Sequence, residues 1–160
     1  MDANRELMRS AKKGDLEGVK QELKSGANVH ADNDLALRVA SENGYVEVVK
    51  MLLEAGADVR AKDDEALRWA SDNGKADVVR VLIEAGANVH AMNDDALRYA
   101  FWFGHEETVQ VLAEAGANVS ILGDNALHLA VKNGHTKIEQ VLRDYGSRNA
   151  AASPARTRMS

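Results

Sequence analysis

Cysteine is absent, and proline occurs once, at Pro154. Disulfides and thiolate chemistry are therefore excluded, and an oxidising compartment is unnecessary. Aromatic residues are scarce as well, with two Trp, three Tyr and two Phe in 160 residues. Nowhere do 18 apolar residues run together, and the start "MDANRELMRSAKKGDLEG" has no apolar core, so neither a membrane span nor a signal peptide is expected. Positive charge is not in excess. The net charge of −5 argues against a dedicated nucleic-acid binder, because phosphate contacts need clustered Lys and Arg. What is present, 45% hydrophobic and 28% charged residues, suits one soluble, cytoplasmic domain with room for a sizeable core.

The chain also repeats itself. "GANV", "GADV", "GANV" and "GANV" begin at Gly26, Gly56, Gly86 and Gly116, and a second series runs Gly14, Gly44, Gly74, Gly104 and Gly134. The period is 30, and residues 26–55 match residues 56–85 at 17 of 30 positions without a gap. Each unit reads as two short helices. In the first, Leu37, Ala40 and Ser41 follow i, i+3, i+4 spacing and a glycine of the second series stops it. In the second, "VEVVKMLLEA" sets Val48, Val49, Leu52 and Leu53 on one face and ends at Gly56. One such pair cannot bury its apolar face alone, whereas stacked copies can.

"NGYVEVVKMLLEAGADV" resembles the second helix and following turn of the ankyrin repeat, and "ALHLA" at 126–130 resembles that family's Thr-Pro-Leu-His-x-Ala signature. The resemblance covers about residues 3–147 and implies an all-α, helix-turn-helix solenoid of five 30-residue repeats with shortened fingers. The units are 3–25, 26–55, 56–85, 86–115 and 116–147, and short-fingered arrays of this kind are similar to those of giant DNA viruses. The family's usual repeat is longer and its extra residues lie in the β-turn finger, so a finger too short to pair as a hairpin is not the main binding element. The Thr-Pro that opens the family's first helix is missing throughout, which leaves Asp34, Asp64, Asp94 and Asp124 as expected helix N-caps.

Comparing equivalent positions sorts packing from function. Val19, Val49, Val79 and Val109 give way to Glu139 in the last unit, and Leu23, Leu53, Ile83 and Ala113 to Arg143. At the other end Gly18 stands where later units have Val48, Val78, Thr108 and Ile138, and Glu22 where they have Leu52, Leu82, Leu112 and Leu142. Polar replacement at both outer flanks is what capping repeats need, so a complete, monomeric array is expected. Arg38, Arg68, Arg98 and His128 each follow an Asp by four residues. They read either as i, i+4 acid–base pairs or as a basic track for an acidic partner.

Chemistry of other kinds finds no footing. His30 and His90 lie two repeats apart, about 20 Å at ordinary helix spacing, too far to share a metal. His105 and His135 sit at the Gly-His position, where the resemblance implies turn stabilisation. No phosphate loop or nucleophile elbow occurs, and the carboxylates recur in every copy, so no catalytic residue, cofactor or metal site is expected. Residues 148–160, "RNAAASPARTRMS", hold three Arg and no acid and are expected to form a disordered basic tail. Without that tail the array carries about −8, which sharpens the acidic character of its surface.

Four of the seven aromatics cluster in one unit, in "YAFWF" at 99–103. Tyr99 shares its position with Val39, Trp69 and Leu129, which predicts a core role. Phe101 stands where others have Ala11, Ser41, Ser71 and Val131, and is expected to fill the volume left by Ala113. Trp102 and Phe103 replace polar residues, Lys12, Glu42, Asp72 and Lys132 in one series and Lys13, Asn43, Asn73 and Asn133 in the other. They should face solvent, where the resemblance implies partner contact on the concave surface. The expected function is non-enzymatic binding of a protein or peptide through Trp102, Phe103, Glu42, Asp72, Asp94, Asp95 and Lys132. The surrounding acids favour a partner with an apolar anchor flanked by Lys or Arg. The alternatives are a nucleic-acid-associated protein using the Arg series and tail, or a structural spacer.

Overall fold

A computed structural model describes residues 2–152. Ten α-helices and one 3-10 turn, with no strand, make up this part of the chain. Inner helices α1 (Ala3–Lys13), α3 (Ala31–Asn43), α5 (Ala61–Asp72), α7 (Ala91–Trp102) and α9 (Ala126–Asn133) alternate with outer helices. The outer layer is α2 (Leu16–Lys24), α4 (Val46–Glu54), α6 (Ala76–Glu84), α8 (Glu106–Glu114) and α10 (Thr136–Ala152). Each inner helix packs on its own outer helix, and α1, α3, α5 and α7 pack on one another in turn.

The core is continuous through the stack. Leu7, Leu37, Leu67 and Leu97 are buried in the inner layer, and Val19, Val49, Val79 and Val109 in the outer. Each such side chain contributes about 1.5–3 kcal/mol by leaving water. Ala40, Ala70, Ala100 and Ala130 are also buried, and their small size lets neighbouring helices approach. At the C-terminal flank the two apolar positions become a pair: Arg143 Nε donates to Glu139 Oε1 at 2.8 Å. An ion pair there can face water where Val and Leu could not.

The turn between inner and outer helix needs glycine for two reasons at Gly74. Its φ is +65°, and a Cβ there would lie 2.6 Å from His105 Nδ1 of the next repeat. His105 Nε2 lies 2.8 Å from the Asp72 carbonyl, so the imidazole ties the end of α5 to the following unit. Tyr45, Lys75 and His135 occupy the same place over Gly14, Gly44 and Gly104.

The shortened finger forms no hairpin. In its place the first residues of α3, α5 and α7 turn left-handed, with φ between 52° and 60° at Asp32–Asn33–Asp34, Lys62–Asp63–Asp64 and Met92–Asn93–Asp94. Such a conformation costs roughly 1–2 kcal/mol per residue, least for Asn and Asp. In the first two of these turns an arginine of the same helix holds it. Arg38 donates from Nε to the Asn33 carbonyl at 3.1 Å and from Nη2 to the Asp32 carbonyl at 2.8 Å. Arg68 does the same to Asp63 and Lys62 at 3.1 and 3.3 Å.

The expected N-cap role of the aspartates is corrected by the stack. Asp34, Asp64 and Asp94 are buried, and each Oδ1 accepts the backbone N–H of the residue 24 positions on: Asp58, Asn88 and Asn118, at 2.7–2.8 Å. Asn4 does likewise for Asn28 at 2.7 Å. The clamped residue in turn accepts a backbone N–H two residues on, as Asn88 does from His90 at 3.0 Å. One carboxylate thus fixes the next repeat's turn, which is why the acid recurs every 30 residues. Asp124 starts no such contact among the described residues.

The Arg series is likewise corrected. Instead of pairing with the Asp four residues before, Arg38 pairs with Glu65 and Arg68 reaches Asp95 at 3.9 Å, each in the next repeat. The fifth repeat has Asn125 at that position, and Arg98 folds back on Asp95. The boundary at 147 also moves. α10 continues through Gly146 to Ala152, where Ala150–Ala152 favour helix. Residues 153–160, the rest of the expected tail, lie outside the described residues.

Candidate functional site

The inner helices all end on one ridge, where Lys12, Glu42, Asp72, Trp102 and Lys132 follow one another at intervals of one repeat. Trp102 is 74% exposed and Phe103, the next residue, 59%. A tryptophan left this open stands out in a chain with two. Lys12, Glu42 and Lys132 are exposed and Asp72 half-buried, and none of the four has an ion-pair partner among the described residues.

Phe103 comes with a structural penalty. At the equivalent positions Asn43 Nδ2 donates to the Val39 carbonyl at 2.7 Å and Asn73 Nδ2 to the Trp69 carbonyl at 2.8 Å. At Trp69 this is a second bond to a carbonyl that already accepts the Asn73 backbone N–H, so the side chain reinforces the end of the helix. Phenylalanine has no donor, so the fourth repeat gives up the bond and gains an exposed ring, tilted 34° to His105 at 6.2 Å.

Beside Trp102 the stacking changes. α9 barely approaches α7, unlike the earlier inner helices, and the finger of the fifth repeat is a 3-10 turn, Val119–Leu122, followed by Gly123. Two cavities flank the indole. One, of about 290 Å³, is lined by Arg98, Tyr99, Phe101, Trp102, Ile121 and Leu122. The other, of about 270 Å³, is lined by Phe101, Trp102, Leu129, Ala130, Asn133 and His135. Phe101 belongs to both. It is a large ring at a position held elsewhere by Ala11, Ser41 and Ser71.

Three expectations fail here. Tyr99 is 41% exposed and not core, because α9 does not close over it. Phe101 faces the fifth repeat and does not fill the space at Ala113, which lines a separate groove of about 600 Å³ with Val119, Val141 and Tyr145. Asp94 and Asp95 are buried at the opposite end of α7, the first clamping Asn118 and the second paired with Arg98 and Arg68. They lie away from the ridge that carries Trp102. Conversely, Tyr99, Ile121, Leu122 and Leu129 line the cavities beside Trp102 unforeseen. The signal was the fifth finger, "SILGD", where Ile121 and Leu122 replace a small residue and a mostly polar one.

The arrangement offers apolar surface and unpaired charge, not acid–base geometry. His30 and His90 each meet their own repeat's Asp34 or Asp94, with Nδ1 3.0 Å from the carboxylate. Burial pushes the Asp64 carboxyl up from its ordinary range, partly restrained by the Asn88 N–H and Arg60. It is a structural group. No helix among the described residues is long and apolar enough to cross a membrane.

Paired helices stacked in register, joined by glycine turns and clamped turn to turn, define a helical repeat solenoid. The profile of the family described as "Ankyrin repeats (3 copies)" matches residues 7–93, 60–122 and 92–153, and the chain belongs to that family. Ankyrin repeats are generally non-enzymatic protein–protein interaction modules. A comparison with curated proteins gives no match.

Proposed function

We propose that this protein is a cytoplasmic, monomeric binding module that captures a protein or peptide on the concave surface of its inner helices, with Trp102 and Phe103 as anchors. The observation that carries this reading is Trp102 itself, 74% exposed at a position that is charged in every other repeat. Exposed Trp beside apolar cavities has the make-up of an interface hot spot, where a few aromatic side chains supply most of the binding energy. The loss of the asparagine bond at Phe103 points the same way, since the chain forgoes local stability to display a second ring. A nucleic-acid track along the Arg series is disfavoured, since Arg38 is buried and both Arg38 and Arg68 are held by turn carbonyls.

The test is proximity labelling in the native cell with wild type and Trp102→Glu at equal expression. Specific protein neighbours should be present for wild type and lost for the variant. An identical set of neighbours for both would overturn the assignment of Trp102.

A further inference from the structure

The ridge carries an order as well as a composition. From the first repeat to the fifth it reads Lys12, Glu42, Asp72, Trp102, Lys132, or basic, acidic, acidic, aromatic, basic. Stacked helices lie about 8–10 Å apart, which sets the step along α1, α3, α5 and α7, whereas α9 stands further off. A polyproline-II segment advances about 3.1 Å per residue with three residues per turn, so every third side chain faces the same way at intervals of about 9 Å. A β-strand would turn alternate side chains away and put no regular series on the ridge.

We propose that the ridge reads a partner segment in polyproline-II conformation whose every third residue meets one repeat from the first to the fourth. Facing Lys12 through Trp102 in order, that segment presents an acid, a base, a base and a large apolar residue, and beyond the longer step to Lys132 an acid. This rests on the binding function proposed above and specifies its partner. Glu42 and Asp72 sit at helix C-termini, whose partial negative charge adds to theirs in drawing the two bases. The apolar residue enters a cavity beside Trp102, between α7 and the fifth repeat.

A second copy of the chain does not fit. Two ridges related by a two-fold axis place Lys12 against Lys132, Asp72 against Asp72 and Trp102 against Glu42. Like charges then meet at three of the five steps. A foreign segment of the complementary order meets none.

The experiment is selection of a displayed random peptide library, about 15 residues long, against wild type, Glu42→Lys/Asp72→Lys and Trp102→Ala. Circular dichroism first verifies that all three are folded. Wild type should enrich peptides with Lys or Arg three and six positions to one side of a large apolar residue and an acid on the other side. The double charge variant should instead enrich acids at those two positions and bind wild-type-selected peptides at least about tenfold more weakly. Enriched peptides that need Trp102 but show no three-residue charge period would overturn the register and leave the anchor. Peptides that bind Trp102→Ala as well as wild type, or no enrichment at all, would overturn both.

Discussion

Asp64 provides the sharpest test of how the repeats are joined. It is 4% exposed, and its Oδ1 accepts the Asn88 N–H at 2.7 Å, with no histidine in the contact to complicate the outcome. Asp64→Ala removes the acceptor and leaves that N–H with no partner, at about 1–3 kcal/mol. Asp64→Asn keeps a carbonyl oxygen in place, as Asn4 does naturally for Asn28. The two variants should therefore differ by about that amount in urea denaturation at neutral pH, with Asn the more stable. The pH dependence supplies a second arm. Burial raises the Asp64 carboxyl above its ordinary 3.8, so the folded state holds the proton more tightly than the unfolded chain. Its contribution to stability is thus full below 3.8 and is lost as pH rises through the raised folded value. Asparagine is neutral throughout. Asp64→Asn should gain relative to wild type as pH rises from acid to neutral, and the gain should vanish in acid. Alanine and asparagine of equal stability would refute the clamp, and an asparagine advantage that grows toward acid would contradict the burial-raised carboxyl.

Ser41 and Ser71 have buried hydroxyls without a hydrogen-bond partner, at the position where the first repeat has buried Ala11. Ser41→Ala and Ser71→Ala should therefore be neutral or stabilising by up to about 1 kcal/mol in thermal or urea melts, and a loss above that would reveal a bonded hydroxyl. Phe103→Asn should restore a side-chain donor to the Tyr99 carbonyl, as Asn73 supplies one to Trp69. The expected gain in urea denaturation is up to about 1 kcal/mol, and a destabilised variant would mean that the Phe103 ring is packed.

The period, the helix pairs and the polar ends were legible because each is written in one repeat and copied in the next. Relations between repeats were not. An aspartate ahead of an apolar helix reads as a cap for that helix, and only the stack shows its oxygen on an N–H 24 residues away. Arg38 and Asp34 have ideal spacing for a pair, yet the left-handed turn redirects the guanidinium to Glu65. Tyr99 was misplaced for the same kind of reason. Its equivalents Val39 and Trp69 are covered by a following inner helix, whereas α9 stands away from α7. The exposure of Trp102 and Phe103 was readable because their equivalents are polar in every other copy. The cavities beside them required knowing how Phe101 meets the fifth repeat.

The central claim is that Trp102 is held out of the core for a partner, and a urea melt of Trp102→Ala tests it without knowledge of that partner. An exposed anchor predicts a change of less than roughly 0.5 kcal/mol, as for an ordinary surface substitution. A loss of about 3–5 kcal/mol, the cost of truncating a buried aromatic, would place the ring in the core and contradict the account.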